Sequence, residues 1–199
     1  MPVRIKMTSC PTCGAPLDPS EPNPTCESCG RKLIINDYDT FFNMPQETAQ
    51  RYSAAYRASL EEQPDNAEMN LAAAMCYLRL HLYDLAERAF ERAMEGDMNN
   101  AEIYFYAAVA LLKGQRPFLA GRPAILKIEE YVNAALMIQT KGIYYYFLSY
   151  VKYDFYFNKH LRTSPTYQEA LQSALRAGLT TREVEQLYAT MGTAKPACL

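Results

Sequence analysis

The sequence has no tryptophan, two histidines and eight glycines among its 199 residues. It contains no Gly-rich phosphate loop, no Gly-x-Ser-x-Gly nucleophile elbow and no His-Glu-x-x-His metal motif. His81 and His160 are isolated in the sequence, so neither indicates a general base or an open metal site. We therefore expect a protein that is not an enzyme and has no small-molecule substrate.

Long apolar runs and an excess of positive charge are also missing. No apolar stretch approaches the roughly 20 residues that a membrane-spanning helix needs. The formal net charge at pH 7 is −2, which disfavours general binding to nucleic acid. With 49% hydrophobic residues, the chain can bury one good core beside a small satellite module. We expect no membrane association.

Four of the six cysteines form two Cys-x-x-Cys pairs, each followed by glycine: Cys10 with Cys13, and Cys26 with Cys29. Four thiolates at this spacing suit a tetrahedral Zn²⁺ ion whose positions are all filled by protein, as in structural zinc sites. We predict one structural zinc ion bound by these four residues. A pair of disulfides is the alternative. Reduced, metal-bound cysteines in turn predict a cytoplasmic protein.

The segment around these cysteines resembles the zinc ribbon, a small β-hairpin module in which two turns share one ion. The stretch between the pairs contains four prolines and is too broken for a helix. Residues 31–35, after the second pair, are β-prone. The resemblance implies a small N-terminal β zinc ribbon over residues 1–36, followed by a linker over 37–46. We expect loss of zinc to unfold only this ribbon.

A different pattern follows, in which residues 64–68 recur as 98–102, a period of 34 residues. This period is typical of a helix–turn–helix repeat that must stack on its neighbours. The unit between them resembles a tetratricopeptide repeat (TPR), because small and aromatic residues stand at the expected positions. The matching positions are Ala74, Tyr77, Tyr83, Ala86, Phe90 and Ala93.

The unit departs from the TPR pattern at three places. Asn70 replaces the usual tryptophan, His81 replaces the glycine between the helices, and Met98 replaces the closing proline. Neighbouring copies are more degenerate still. We therefore predict a mainly α fold, a short TPR-like α-solenoid or helical-hairpin array over residues 47–192, with a flexible tail over 193–199.

The TPR resemblance implies a concave wall formed by the first helix of each pair. Its inward positions are apolar or aromatic in this chain, so we predict that they bind an apolar helix or an extended peptide. An aromatic stripe at helical spacing is also typical of a buried core, and that alternative stays open. The predicted partner-binding residues are Leu71, Met75, Leu78, Phe105, Val109, Leu112, Tyr146, Tyr150 and Tyr153.

Two functions are compatible with these features. We favour a non-enzymatic cytoplasmic adaptor or scaffold that binds a protein or peptide partner through the Tyr-rich surface. The alternative is a nucleic-acid- or transcription-associated factor acting through the zinc ribbon, where Arg4, Lys6, Arg31 and Lys32 could form a basic patch. Four dispersed cations are few for phosphate binding, and the ribbon has no aromatic residue for base stacking. We therefore disfavour nucleic acid as the partner.

Overall fold

The computed structural model describes residues 7–18 and 25–199. Within these two ranges the chain forms nine α-helices, a short 3₁₀ segment at Pro117–Leu119 and a π-helical segment at Lys152–Phe157 that directly follows α7. The α-helices are α1 (Tyr38–Phe42), α2 (Gln46–Glu62), α3 (Ala67–Arg79), α4 (Tyr83–Gly96), α5 (Ala101–Ala110), α6 (Arg122–Ile138), α7 (Gly142–Val151), α8 (Tyr167–Arg176) and α9 (Thr181–Met191).

Contacts divide the chain into two compact units, Met1–Met98 and Asn99–Leu199. The first unit contains the cysteine pairs and α1 to α4, and the second contains α5 to α9. The segment predicted as a linker, 37–46, contains α1 and the start of α2. Phe41 of α1 is buried and meets the rings of Tyr52 and Tyr56 of α2 edge-on, at centroid distances of 6.1 and 6.4 Å. This packing explains why the segment is ordered against α2.

Helices α3 and α4 pack together as the hairpin predicted from the 34-residue repeat. The side chain of Asn66 caps the start of α3 by accepting a hydrogen bond from the Met69 N–H at 2.9 Å. Gly96 ends α4 beside Ala67, where a Cβ atom would collide with the alanine side chain. His81, in the turn, has φ of 57°, a left-handed conformation that glycine adopts more readily.

The second unit repeats this arrangement. Helices α5 and α6 pack as one pair, α7 and α8 as another, and α9 contacts α7. Helices α8 and α9 each begin with a capping box, Thr166 with Glu169 and Thr180 with Glu183. The predicted mainly α fold, an array of helical hairpins, is confirmed. In the ranges that the structure describes, no helix combines the length and apolar character required to cross a bilayer.

The β-hairpin of the predicted ribbon is not found. Residues 1–6 and 19–24 of that prediction, including Arg4 and Lys6, lie outside the described residues. In 7–18 and 25–36 the structure has no strand, only two isolated antiparallel bridges, Ser9 with Pro16 and Thr25 with Lys32. The backbone after the second cysteine pair forms hydrogen bonds with tyrosine hydroxyls of α2 instead of with a partner strand.

Candidate metal centre and its helical support

The two cysteine pairs occupy turns of the same construction. The Gly14 N–H donates to the Cys10 carbonyl at 2.9 Å, and the Gly30 N–H donates to the Cys26 carbonyl at 2.8 Å. Both glycines are left-handed, with φ of 77° and 68°. A residue with a Cβ atom would be strained at these positions, so glycine allows each turn to close around its sulfur atoms. The structure thus presents two equivalent Cys-x-x-Cys turns.

The four cysteine sulfur atoms converge, all within 4.8 Å of one another. The Sγ atoms of Cys10 and Cys29 are 3.8 Å apart, as are those of Cys13 and Cys26. Tetrahedral coordination with metal–sulfur distances of about 2.3 Å requires sulfur–sulfur separations of about 3.8 Å. All four cysteines are free thiols, and a disulfide would bring two sulfurs to about 2.0 Å. The donor set therefore fits a metal ion, and the disulfide alternative is wrong.

The sulfur atoms also influence one another electrostatically. A hydrogen bond from the Cys29 backbone N–H lowers the pKa of Cys26 to about 7. A hydrogen bond from the Arg31 backbone lowers the pKa of Cys29, but desolvation and the side-chain hydrogen bonds of the three neighbouring cysteines together outweigh it and raise the pKa to about 12. Four closely spaced thiols cannot all ionise without a compensating cation. A bound metal ion would supply that charge, and thiolates favour Zn²⁺ among the common divalent ions.

Helix α2 holds both cysteine turns from one side. The Tyr52 hydroxyl donates to the Lys32 carbonyl at 3.2 Å and forms a hydrogen bond of 3.1 Å with the Thr12 hydroxyl. The residue before Tyr52 on α2 is Arg51, whose guanidinium donates to the Pro11 carbonyl at 3.3 Å. Thr12 and Pro11 belong to the first cysteine turn, whereas Lys32 follows the second. A single helix thus contacts both halves of the candidate metal centre.

Tyr56 anchors the segment that leaves the second turn. Its hydroxyl donates to the Leu33 carbonyl at 3.0 Å and accepts a hydrogen bond from the Ile35 N–H at 3.2 Å. Tyr56 is fully buried, and this desolvation raises its pKa well above the ordinary value, so the hydroxyl stays protonated and can donate. Its side chain satisfies two backbone groups that a neighbouring strand would otherwise pair.

The nine predicted partner-binding residues lie in both units. Leu71, Met75 and Leu78 are on α3, Leu112 lies in the turn after α5, and the other five are on α5, α7 and the π-helical segment. Eight of the nine are buried, and Tyr153 is half-buried. In the second unit, Tyr188 of α9 packs edge-on against the rings of Tyr146 and Tyr150, at centroid distances of 6.2 and 5.3 Å. This burial favours the alternative in which the aromatic stripe is hydrophobic core.

The second unit also contains a pair of buried charges that was not predicted from the sequence. Lys152 and Asp154 lie in the π-helical segment and are 5% and 0% exposed. Lys152 Nζ lies 2.8 Å from Glu129 Oε1 on α6, donates to the Thr163 hydroxyl at 2.6 Å, and sits 4.8 Å from the centroid of the Tyr156 ring. Two charges inside the aromatic run 143–157 were the signal that could have identified this cluster.

Asp154 fixes the loop before α6. Its carboxylate accepts a hydrogen bond from the Phe118 N–H at 2.9 Å and forms an ion pair with Arg116. Asn158 Nδ2 donates to the same carboxylate at 3.3 Å. The carboxylate raises the pKa of Arg116, first through the hydrogen bond and then through charge. Each carboxylate oxygen has a partner, which indicates a role in structure rather than in proton transfer.

Comparison with known proteins adds little to this description. No protein-family model matches the chain, and no curated protein matches it. Matching solved structures include MamA MSR-1 C2, which covers 77% of this chain and 86% of its own, MamA AMB-1 C2221 (71% and 81%) and MamA AMB-1 P212121 (76% and 82%). Each is 17% identical in sequence, with a TM-score of 0.49. A likeness at this level assigns neither a family nor a function to this chain.

Proposed function

We propose that this chain is a non-enzymatic cytoplasmic adaptor or scaffold that binds a protein or peptide partner. The observation that carries the proposal is the array of helical hairpins, whose inner side chains fill the protein's own core and whose outer helix faces are left to solvent. Stacked helical hairpins of this kind present extended surfaces that suit recognition of another chain. Because eight of the nine Tyr-rich stripe residues are buried, the partner would contact outer faces.

We further propose that the four cysteines hold one structural Zn²⁺ ion. The convergence of four sulfur atoms within 4.8 Å, with two of the pairs at 3.8 Å, supports this part of the proposal. When bound, the ion would cross-link the two turns. The chain's own residues would do the rest, since Tyr52 and Tyr56 connect the turns to α2 and so to the first helical unit.

Affinity capture with quantitative mass spectrometry tests the adaptor proposal. The full zinc-loaded chain would be used as bait in a nuclease-treated lysate of its source organism, with a heat-unfolded sample of the same chain as control. We expect a defined protein partner that the folded chain enriches and the unfolded chain does not. Recovery of nucleic acid alone from an untreated lysate would contradict the proposal and favour the ribbon-based alternative.

A further inference from the structure

A small pocket opens on the first unit where α2, α3 and α4 meet. Its volume is about 250 Å³. Tyr77 of α3 and Ala89 of α4, both largely buried, form part of an apolar lining together with Leu60 and Leu85. Leu85 is 41% exposed, so this lining is accessible from solvent. The pocket is therefore an open apolar notch within a single helical unit.

Three arginines line the same notch. Arg57 projects from α2, and Arg88 and Arg92 project from α4. Arg88 and Arg92 are four residues apart on one helix face, a spacing at which like charges repel. Glu61 is the one carboxylate among the lining residues that the structure describes. The lining thus carries a formal charge of +2 in a chain whose net charge is −2.

We propose that this notch binds an acidic segment of the protein partner, with an apolar residue of that segment on Tyr77 and carboxylates on the arginines. The inference rests on the proposed adaptor function and names the surface and the chemistry of its partner. Guanidinium groups bind carboxylates through paired, charge-assisted hydrogen bonds. A volume of about 250 Å³ is below the usual range for a drug-sized ligand, but it accommodates one or two side chains.

Charge complementarity also explains why the notch should select its partner. The chain as a whole repels acidic peptides, because its net charge is negative. Binding of an acidic segment would therefore depend on the three arginines of the notch, because the net charge of the protein opposes it. Replacing Arg88 and Arg92 by glutamine removes two charges at exposed positions without lowering helix propensity appreciably. The fold should be unaffected.

A peptide titration tests the notch directly. The zinc-loaded full chain would be titrated, by fluorescence anisotropy at low ionic strength, against fluorescein-labelled Asp-Leu-Glu-Asp-Leu-Glu and against its amide counterpart Asn-Leu-Gln-Asn-Leu-Gln. We expect R88Q/R92Q to weaken binding of the acidic peptide by at least about tenfold. The matched variant R176Q/R182Q, which removes two exposed arginines from the second unit, should change it by less than about twofold. The amide peptide should not bind.

The proposal that the notch binds an acidic segment would be overturned by either of two results. One is that both double variants weaken peptide binding equally, and the other is that the acidic peptide does not bind the unmodified chain. The capture experiment separates this result from failure of the adaptor function. If R88Q/R92Q and the unmodified chain capture a partner equally well, the proposed binding role of the notch is wrong, whereas the adaptor proposal is supported. Absence of any captured partner would contradict the adaptor proposal, whatever the peptide titration shows.

Discussion

At the residue scale, tyrosine hydroxyls form the hydrogen bonds to the backbone of residues 32–35 that a neighbouring strand would form in a β-hairpin. Tyr52 and Tyr56 lie four residues apart on α2, so both hydroxyls point from one helix face toward the cysteine turns. Their rings, 5.6 Å apart, are buried with Phe41. The apolar part of each side chain stabilises the core while its polar end satisfies the backbone of the segment that follows Cys29.

Removal of one hydroxyl should therefore destabilise the first unit. Tyr56→Phe leaves the Leu33 carbonyl and the Ile35 N–H without their partner in a buried environment. We expect a loss of about 1–3 kcal/mol in the free energy of unfolding, measured by urea titration. Tyr104→Phe is the control, since the ring of Tyr104 contacts Tyr131 through an edge-on packing that phenylalanine retains. Equal effects of the two changes would argue against the role given to Tyr56.

The metal centre gives a second prediction at this scale. Cys26→Ser removes one of the four converging sulfurs, and changes even to residues outside the coordination sphere typically cost 10- to 100-fold in metal affinity. We expect at least about 100-fold weaker zinc binding in competition with a chelating dye. Cys198→Ser, which changes an exposed cysteine outside the cluster, should retain one zinc per chain by elemental analysis. Full zinc content in Cys26→Ser would contradict a four-cysteine site.

The turn after the π-helical segment gives a third prediction. His160 is exposed and has φ of 56°, a left-handed conformation that costs a residue with a Cβ atom about 1–2 kcal/mol. His160→Gly removes this cost, although glycine also gains entropy in the unfolded chain. We expect a net gain of up to about 1 kcal/mol in thermal unfolding experiments. His160→Ala keeps the Cβ atom and should give no such gain, so a gain with alanine would refute the explanation.

At the element scale, α7 and its π-helical continuation combine an aromatic surface with buried charge. A π-helical turn shifts the positions that follow it around the helix axis. In this segment Lys152 forms an ion pair with Glu129 on α6, and Asp154 forms an ion pair with Arg116 in the loop before α6. These two contacts tie α7 to both the helix and the loop of the preceding hairpin. The segment is thus held by polar as well as apolar contacts.

A double-mutant cycle measures what the Lys152–Glu129 pair contributes. Lys152→Met leaves the Glu129 carboxylate, 14% exposed, without its cation, and breaking a buried pair this way typically costs about 3–5 kcal/mol. The double change Lys152→Met/Glu129→Leu removes both charges and should recover most of that loss. Unfolding in urea provides the measurement. Additive losses would show that the two side chains do not interact.

Local sequence signals predicted those elements that depend on neighbours along the chain. The capping box that begins α9 follows from the local sequence, because Thr180 and Glu183 lie within four residues of each other. Helix α8 is capped by Thr166, although Thr163 and Ser164 are also residue types that cap helices. Several capping residues occur in succession there, and Glu169, three residues after Thr166, decides between them.

The candidate metal centre was predictable for the same reason, since its ligands sit in two short motifs. Its support by α2 was not, because Tyr56 and Leu33 are 23 residues apart and no pattern connects them. The Tyr-rich stripe failed as a prediction of an open surface for a related reason. Helical register indicates which residues share a face, but Tyr188, 42 residues beyond Tyr146, determines whether that face is covered.

At the scale of the whole molecule, the cysteine turns are part of the first helical unit rather than an independent satellite. Leu33 and Ile35, which follow the second turn, are buried, and their backbone groups are bonded to Tyr56. The expectation that zinc loss unfolds only the ribbon therefore needs revision. Release of the turns would return these apolar side chains to water and leave α2 without contacts on one face. The first unit should loosen while the second keeps its own core.

Hydrogen–deuterium exchange after zinc removal tests this coupling. We expect amides in α2 to exchange at least about tenfold faster in the chelated protein, because a tenfold change needs about 1.4 kcal/mol and the lost contacts exceed that. Amides in α7, in the second unit, should change by less than about twofold. Restoring zinc should reverse the effect. Unchanged exchange in α2 would show that the turns and the helix are independent, and equal acceleration in α7 would show that the two units unfold together.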